Sequence, residues 1–336
     1  MNNLSTSHYQ PAEDRYDADT MSYRRSGRSG ILMSELSLGF WHNFGARDDY
    51  EKAKAMAHAA FDHGITCFDL ANNYGPPYGS AERTFGRLMR QSFAAYRDEM
   101  FITTKAGYDM WSGPYGNWGS RKYLISSLDQ SLRRMGLDYV DLFYSHRYDP
   151  LTPLEETMQA LVDIVRSGKA LYVGISRYPA DAAAFAYRYL REHDVPCLCY
   201  QGRYNMLYPS DGGEIMAQAA AAGVGYVGFS PLQQGLLSDR YLEGIPQGSR
   251  MTHSRYLKPE VLTPELQTQL RRLNEIALDR GQSLADMALA WVLRRPEVTS
   301  VIIGTSSVQQ LYDNLRVLQS PPFSADELAA IERVLR

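Results

Sequence analysis

Four residues in the first half of the chain have the types needed to handle a proton at a carbonyl group: Asp69, Tyr74, Lys105 and His146. Asp69 ends a short apolar run in "FDLANNYGPPYGSAE" (68–82), and Tyr74 follows five residues later in a loop dense in Gly, Pro and Asn. Lys105 ends "FITTK" and His146 ends "VDLFYSH". A phenol, with a pKa of ~10, is a poor acid at neutral pH. A neighbouring ammonium favours phenolate, so Lys105 is expected to lower the Tyr74 pKa, with Asp69 pairing with the lysine. His146 can donate a hydrogen bond to a substrate oxygen. Such a group protonates an alkoxide as it forms, which carbonyl reduction by hydride requires. One tyrosine among 24 carries no weight by itself. The reading needs a fold that brings all four together.

The rest of the chain describes that fold. Short apolar runs alternate with amphipathic helical patterns, and the strand candidates are Leu36–Gly39, Thr66–Asp69, Phe101–Lys105, Val140–His146, Leu171–Ser176, Cys197–Gln201, Gly225–Ser230 and Ser300–Ile303. Between the first two, Ala53, Met56, Ala57, Ala60 and Phe61 mark one face of a helix. "TPLEE" from Thr152, "SLAD" at Ser283 and "SADE" at Ser324 read as helix starts with a hydroxyl N-cap. Gly64, Gly136, Gly168 and Gly223 fall where a left-handed residue closes a helix. Strands each followed by a helix, continuously apolar and briefly connected, predict an α/β fold, a (β/α)8 barrel. An N-terminal β-hairpin ("YRRSGRSGILM") precedes it and a C-terminal helix follows. A doubly wound sheet is the competing architecture, and "GVGYVG" (223–228) spells its dinucleotide fingerprint. Those glycines follow a helix and enter a strand, the reverse of what the fingerprint needs.

In such a barrel the site lies at the C-terminal strand ends. The strands deliver Asp69, Lys105, His146, then Ser176 and Arg177, Gln201 and Ser230 there. A hydride source is still required. "SVIIGTSSVQQLYDNL" supplies a strand, a Gly-Thr-Ser-Ser turn and a helix beginning at Ser307. The N–H groups of a helix N-terminus make a phosphate site.

Composition narrows the class. The chain has 336 residues with a net charge of −3 and 44% hydrophobic content, ordinary for a globular protein and without the basic surface a nucleic-acid partner needs. No apolar run approaches the ~18 residues that span a bilayer. Residues 1–22 are polar, lack the features of a signal peptide and read as a loosely ordered extension before a single domain over 23–336. Cys67, Cys197 and Cys199 sit in strand-like runs and suit buried thiols of a cytoplasmic protein better than a disulfide framework or a metal site.

Asp69, Tyr74, Lys105 and His146 resemble, in order and strand context, the tetrad of the aldo-keto reductase superfamily. "GISRY" (174–178), "QGRYN" (201–205), "FSPLQQGLL" (229–237) and "IIGTSSVQQLYDN" (302–314) are similar to that family's segments, and the resemblance spans Tyr23–Leu335. It implies NADPH/NADP+ lying extended across the strand ends, with Tyr74 as proton donor. Ser176, Arg177 and Gln201 would meet the nicotinamide and its carboxamide. Ser230, Pro231, Leu232 and Gly235 would line the pyrophosphate path, and Gly304, Ser306, Gln310, Asp313 and Asn314 would hold the adenosine end. Gly39, Phe40, Trp41, Asp69, Phe229, Gln233 and Leu237 complete the implied cofactor set. Arg250 lies in a stretch (233–262) expected to fold over the cofactor, and suits a 2′-phosphate.

Within the superfamily, "LGFWHNFG" (38–45) and "KAGYDMWSGPYGNWGSRKYL" (105–124) resemble the bacterial L-glyceraldehyde 3-phosphate reductases, in a branch shared with potassium-channel β-subunits. The implied substrates are small aldehydes, L-glyceraldehyde 3-phosphate and methylglyoxal among them, contacted by Trp41, Tyr74, Trp111 and His146. Tyr78, Trp118 and Tyr148 are further candidate walls, and Arg147 and Lys122 are candidate partners for a substrate phosphate. The resemblance also implies a homo-oligomer, a tetramer or larger, in the cytoplasm. Two alternatives stand beside it. A cofactor-binding regulatory subunit is disfavoured by the retained His146, where channel-associated members carry asparagine. A metal-dependent hydrolase is disfavoured by the lack of an H-x-H strand motif.

Overall fold

The computed structural model describes residues 9–252 and 257–336. Eight parallel strands close into a barrel: β3 (Leu36–Gly39), β4 (Cys67–Asp69), β5 (Phe101–Ala106), β6 (Val140–Ser145), β7 (Ala170–Ser176), β8 (Cys197–Arg203), β9 (Gly225–Phe229) and β10 (Val298–Ile303), the last pairing with both β9 and β3. Closure leaves no exposed edge, so strands as short as three residues persist.

Helices α1 (Tyr50–Asp62), α2 (Ser80–Leu88), α3 (Arg121–Met135), α4 (Leu154–Arg166), α5 (Ala180–Glu192) and α6 (Ser210–Ala222) fill the connections from β3 to β9. Two helices, α7 (Pro264–Asp279) and α8 (Leu284–Leu293), lie between β9 and β10, and α9 (Val308–Leu315) and α10 (Ala325–Leu335) follow. Capping boxes at Ser283 and Ser324 start α8 and α10. Gly223, with φ 77°, closes α6 before β9, so "GVGYVG" is a helix stop and a strand. The expected cap at Thr152 differs. Its hydroxyl donates to Asp149 Oδ2 at 2.6 Å, and α4 begins two residues later without a side-chain cap. Pro153, which has no side-chain acceptor, takes the N-cap position instead.

The hairpin of β1 (Tyr23–Arg25) and β2 (Leu32–Ser34) stoppers the N-terminal end of the barrel. Met33 is fully buried there against Cys67, Phe101, Leu142, Leu198 and Val227. All three cysteines are buried free thiols, and burial pushes Cys199 up to about 12.

Residues 9–22 are more ordered than their composition suggests. Tyr9 stacks on His58 with ring centroids 3.9 Å apart and donates to Asp62 Oδ1 at 2.7 Å. Arg15 and Tyr16 both reach Glu99, and Met21 is buried. Polar composition misled because the anchors are themselves polar: one carboxylate on α1 and another just before β5. Residues 1–8 of the extension lie outside the described residues.

Candidate active site

The C-terminal strand ends carry a hydrogen-bonded cluster built on Asp69. Its carboxylate is buried at the end of β4 and accepts from Lys105 Nζ at 2.7 Å, Thr103 Oγ1 at 2.9 Å and Gln201 Nε2 at 2.9 Å. Lys105, fully buried on β5, also donates to the Leu70 carbonyl. A buried charge needs a partner and further hydrogen bonds to be tolerated, and these contacts supply them. Burial pushes the lysine pKa below its usual value, while Asp69 pulls it back up.

Tyr74 is presented by the loop between β4 and α2. Gly75 (φ 77°) permits the turn, since a Cβ there would lie 2.4 Å from Ser80 Oγ and 2.9 Å from Ala81 N. Lys105 Nζ sits 5.0 Å from the centroid of the Tyr74 ring. The expected effect of this ammonium on the phenol is not what the structure gives. Burial raises the Tyr74 pKa well above 10, Asp69 and Tyr108 add to it, and Arg177 opposes. The positive charge of Lys105 is matched by Asp69, so the phenol keeps its proton at neutral pH.

His146 follows β6, with its ring edge-on to Tyr74 (centroids 6.0 Å apart) and to Tyr108 (4.7 Å). Burial, reinforced by Lys105, Arg177 and Arg147, drives its pKa well below 6.5. The ring is therefore neutral at pH 7. Among the described residues its Nδ1 has no hydrogen-bond partner.

A cavity of about 1870 Å³ opens above this cluster and runs across the strand ends. Pockets for compact ligands span ~300–1,000 Å³, so this one has room for a long ligand and a second small one. Of the implied cofactor set, Gly39, Trp41, Asp69, Ser176, Arg177 and Gln201 line it on one side. Phe229, Ser230, Pro231, Leu232, Gln233, Gly235 and Arg250 line the part formed after β9, and Gly304, Ser306, Gln310, Asp313 and Asn314 the part formed after β10. Three implied residues stand back from the wall. Phe40 is fully buried and stacked on Phe44 at 3.9 Å, Leu237 is fully buried, and Trp111 packs on Tyr123 with centroids 5.1 Å apart. Of the segment expected to cross the cavity, residues 253–256 lie outside the described residues.

The two phosphate candidates also stand away from the wall. Arg147 donates to the Gly107 carbonyl at 2.7 Å and Asn117 Oδ1 at 2.8 Å, its guanidinium 3.5 Å from the Trp118 ring centroid. Lys122 lies 5.2 Å from the Tyr115 ring centroid on the exposed start of α3.

The cavity is also lined by residues that sequence reasoning missed: Tyr108, Asn73, His42, Asn43, Glu214 and Arg316. Burial, with Arg250 nearby, lowers the His42 pKa to about 4. Tyr108 lies three residues beyond Lys105, just past a strand end as Tyr74 is, and that position was a usable signal.

The cavity wall can be tested against a dinucleotide from its own atoms. The Ser176 Oγ and Asn314 Nδ2 are buried without a hydrogen-bond partner among the described residues. Gly304 has no atom within 4 Å of where a Cβ would stand, leaving room for a ligand against the backbone. Arg240, Arg250 and Arg316 place positive charge along the part of the wall formed after β9 and β10. Polar donors, a bare backbone turn at a helix start and cations fit a phosphate-bearing nucleotide.

Fold and site define a barrel with a buried cluster of ionisable side chains at its strand ends, and comparison with known proteins places it. Residues 35–336 match the model of the Aldo/keto reductase family, and the chain belongs to that family. It is an oxidoreductase. It is 54% identical over 318 residues to the L-glyceraldehyde 3-phosphate reductase of Escherichia coli (strain K12), covering 93% of this chain and 92% of that protein. It is 33% identical over 323 residues to a putative voltage-gated potassium channel subunit beta of Schizosaccharomyces pombe (strain 972 / ATCC 24843), covering 94% and 91%. Among the described residues no helix is long and apolar enough to cross a membrane.

Proposed function

We propose that the protein reduces small aldehydes to alcohols with NADPH, in the cytoplasm and as a homo-oligomer. L-glyceraldehyde 3-phosphate, giving glycerol 3-phosphate, is the foremost substrate, and methylglyoxal a further one. The observation that carries this reading is the Asp69–Lys105 pair, closed at 2.7 Å beneath Tyr74 at the floor of the long cavity. The likeness to the reductase of Escherichia coli supports the choice of substrate.

Ser176 and Gln201 would hold the nicotinamide end, Gly304, Ser306, Gln310 and Asn314 the adenosine end. Bound there, the reduced nicotinamide supplies the hydride. The carbonyl oxygen is oriented by His146, whose neutral ring carries one N–H to donate. As negative charge builds on that oxygen, Tyr74 delivers its proton. A raised phenol pKa does not obstruct this step, because an alkoxide is a stronger base than a phenolate. Lys105, fixed by Asp69 and the Leu70 carbonyl, places positive charge near the ring that loses the proton.

The test is NADPH consumption by the purified protein with both enantiomers of glyceraldehyde 3-phosphate and with methylglyoxal. Oxidation fastest with the L-phosphate is the expected result. Turnover of other aldehydes alone would keep the chemistry and discard the substrate. Nucleotide-loaded protein inert to every aldehyde would overturn the reading and favour a regulatory subunit, as the likeness to the channel subunit would then suggest.

A further inference from the structure

We propose that Arg177, held in place by Tyr108, recognises the anionic end of a phosphorylated aldehyde. This inference rests on the reductase reading above and adds the residue that selects its substrate. The arginine lies at the end of β7, and its backbone has φ 56°, a conformation that non-glycine residues adopt at a cost. From there the side chain reaches back past the end of β6, where His146 stands, to the loop after β5. Its Nη1 donates to Tyr108 Oη at 3.0 Å.

Tyr108 is itself pinned on two sides. Its edge packs on the catalytic imidazole at 4.7 Å, and the Arg147 guanidinium stacks over its ring at 4.3 Å. The separation between the guanidinium of Arg177 and the groups that act on the carbonyl is therefore fixed by packed rings.

The guanidinium is also free to take an anion. Arg177 is exposed on the cavity wall, and among the described residues no carboxylate lies within ion-pair distance of it. Asp109 lines the same wall without bonding to it. The Tyr108 hydroxyl takes one of five N–H donors, and the remaining fork suits a phosphate. Its charge reaches both Tyr74 and His146, lowering the pKa of each. Arg147, the neighbouring cation, is already bonded to the Gly107 carbonyl and Asn117. Arg250 and Arg316 belong to the parts of the wall formed after β9 and β10, strands that pair with neither β6 nor β7. The resemblance gives Arg177 to the nicotinamide together with Ser176; in this inference its side chain, following a strand that pairs with β6, serves the substrate end instead, and the Ser176 hydroxyl the nucleotide end.

The test uses Arg177→Met, Arg177→Lys and Tyr108→Phe beside the parent, all saturated with NADP+ so that nucleotide phosphate sites are filled. Calorimetric binding of glycerol 3-phosphate is the readout that does not depend on turnover, and kcat/KM for glyceraldehyde 3-phosphate against glyceraldehyde is the second. Losing a charge-assisted contact should weaken glycerol 3-phosphate binding about 10–100-fold in the methionine variant. The kcat/KM ratio between the phosphorylated and plain aldehyde should fall by a similar factor. The lysine variant should recover part of both, and Tyr108→Phe should show a smaller loss. Parent-like glycerol 3-phosphate binding in Arg177→Met would overturn the inference. So would equal losses on both aldehydes, or a matching loss of NADP+ affinity, which would assign the residue to the nucleotide. If Arg177→Met fails to fold, the lysine variant carries the test through its altered ratio. A parent that binds glycerol 3-phosphate through Arg177 yet reduces no aldehyde would sink the reductase reading and leave the recognition site standing.

Discussion

The two ends of the cavity are built on opposite principles. At the floor, Asp69 takes hydrogen bonds from Lys105, Thr103 and Gln201, and all of these groups belong to strands or strand ends. Along the trough, Ser176 Oγ and Asn314 Nδ2 lack partners among the described residues, and the backbone after β9 runs through positive φ at Ser230, Gln233 and Gln234. The Asp69 cluster is complete without a ligand, and beside it the His146 Nδ1 is left without a partner among the described residues. The trough has buried polar groups that a ligand would satisfy. The comparison teaches that the Asp69–Lys105 cluster is preorganised by the fold, whereas nucleotide binding should stabilise the trough and tighten its loops.

Lys105→Met attacks the complete end and should have the largest effect on stability. It leaves the Asp69 carboxylate buried without its counter-charge, a change worth about 3–5 kcal/mol in denaturant unfolding. A loss under 1 kcal/mol would show that Thr103 and Gln201 suffice and that the floor is less dependent on the pair than its geometry implies.

Ser176→Ala attacks the incomplete end and should separate binding from folding. Removing a buried hydroxyl with no partner leaves unfolding stability unchanged or slightly raised, while one lost hydrogen bond weakens nucleotide binding by about 3–10-fold. A stability loss with unchanged nucleotide affinity would erase the distinction between the two regions.

The smallest effect is on the pH dependence of stability. Burial holds the His146 pKa well below 6.5 and that of His42 at about 4. Below pH ~6.5 the unfolded chain binds protons that the folded one refuses, so stability rises with pH there and is lost as pH falls. The thermal midpoint should decline from pH 7 toward pH 5, and less steeply in His146→Asn. An identical slope in parent and variant would mean that the imidazole protonates in the folded protein.

The barrel was readable from sequence because short, largely apolar runs alternate regularly with amphipathic helical patterns closed by glycine stops or loops. The predicted bounds differ from the observed ones by a residue or two, as with Val140–His146 against Val140–Ser145. Asp69, Tyr74, Lys105 and His146 were readable because strand ends in a barrel converge. What failed depended on particular side-chain contacts and burial that no periodic pattern shows. Thr152 gave its hydroxyl to Asp149, residues 9–22 found anchors on Asp62 and Glu99, and Phe40 and Leu237 turned into the core. The sign of the Tyr74 shift was missed for the same reason. Sequence places a lysine near the phenol and an aspartate to pair with it, but does not show the burial that raises the phenol most.

The central claim is that Tyr74 gives the carbonyl oxygen its proton, and Tyr74→Phe tests it most directly. Single-turnover oxidation of bound NADPH by L-glyceraldehyde 3-phosphate would be followed in parent and variant, with nucleotide Kd measured on both. The account predicts a rate lower by about 10²–10⁴-fold at unchanged Kd. A variant that transfers hydride as fast as the parent would contradict it and move the proton donor elsewhere in the cavity.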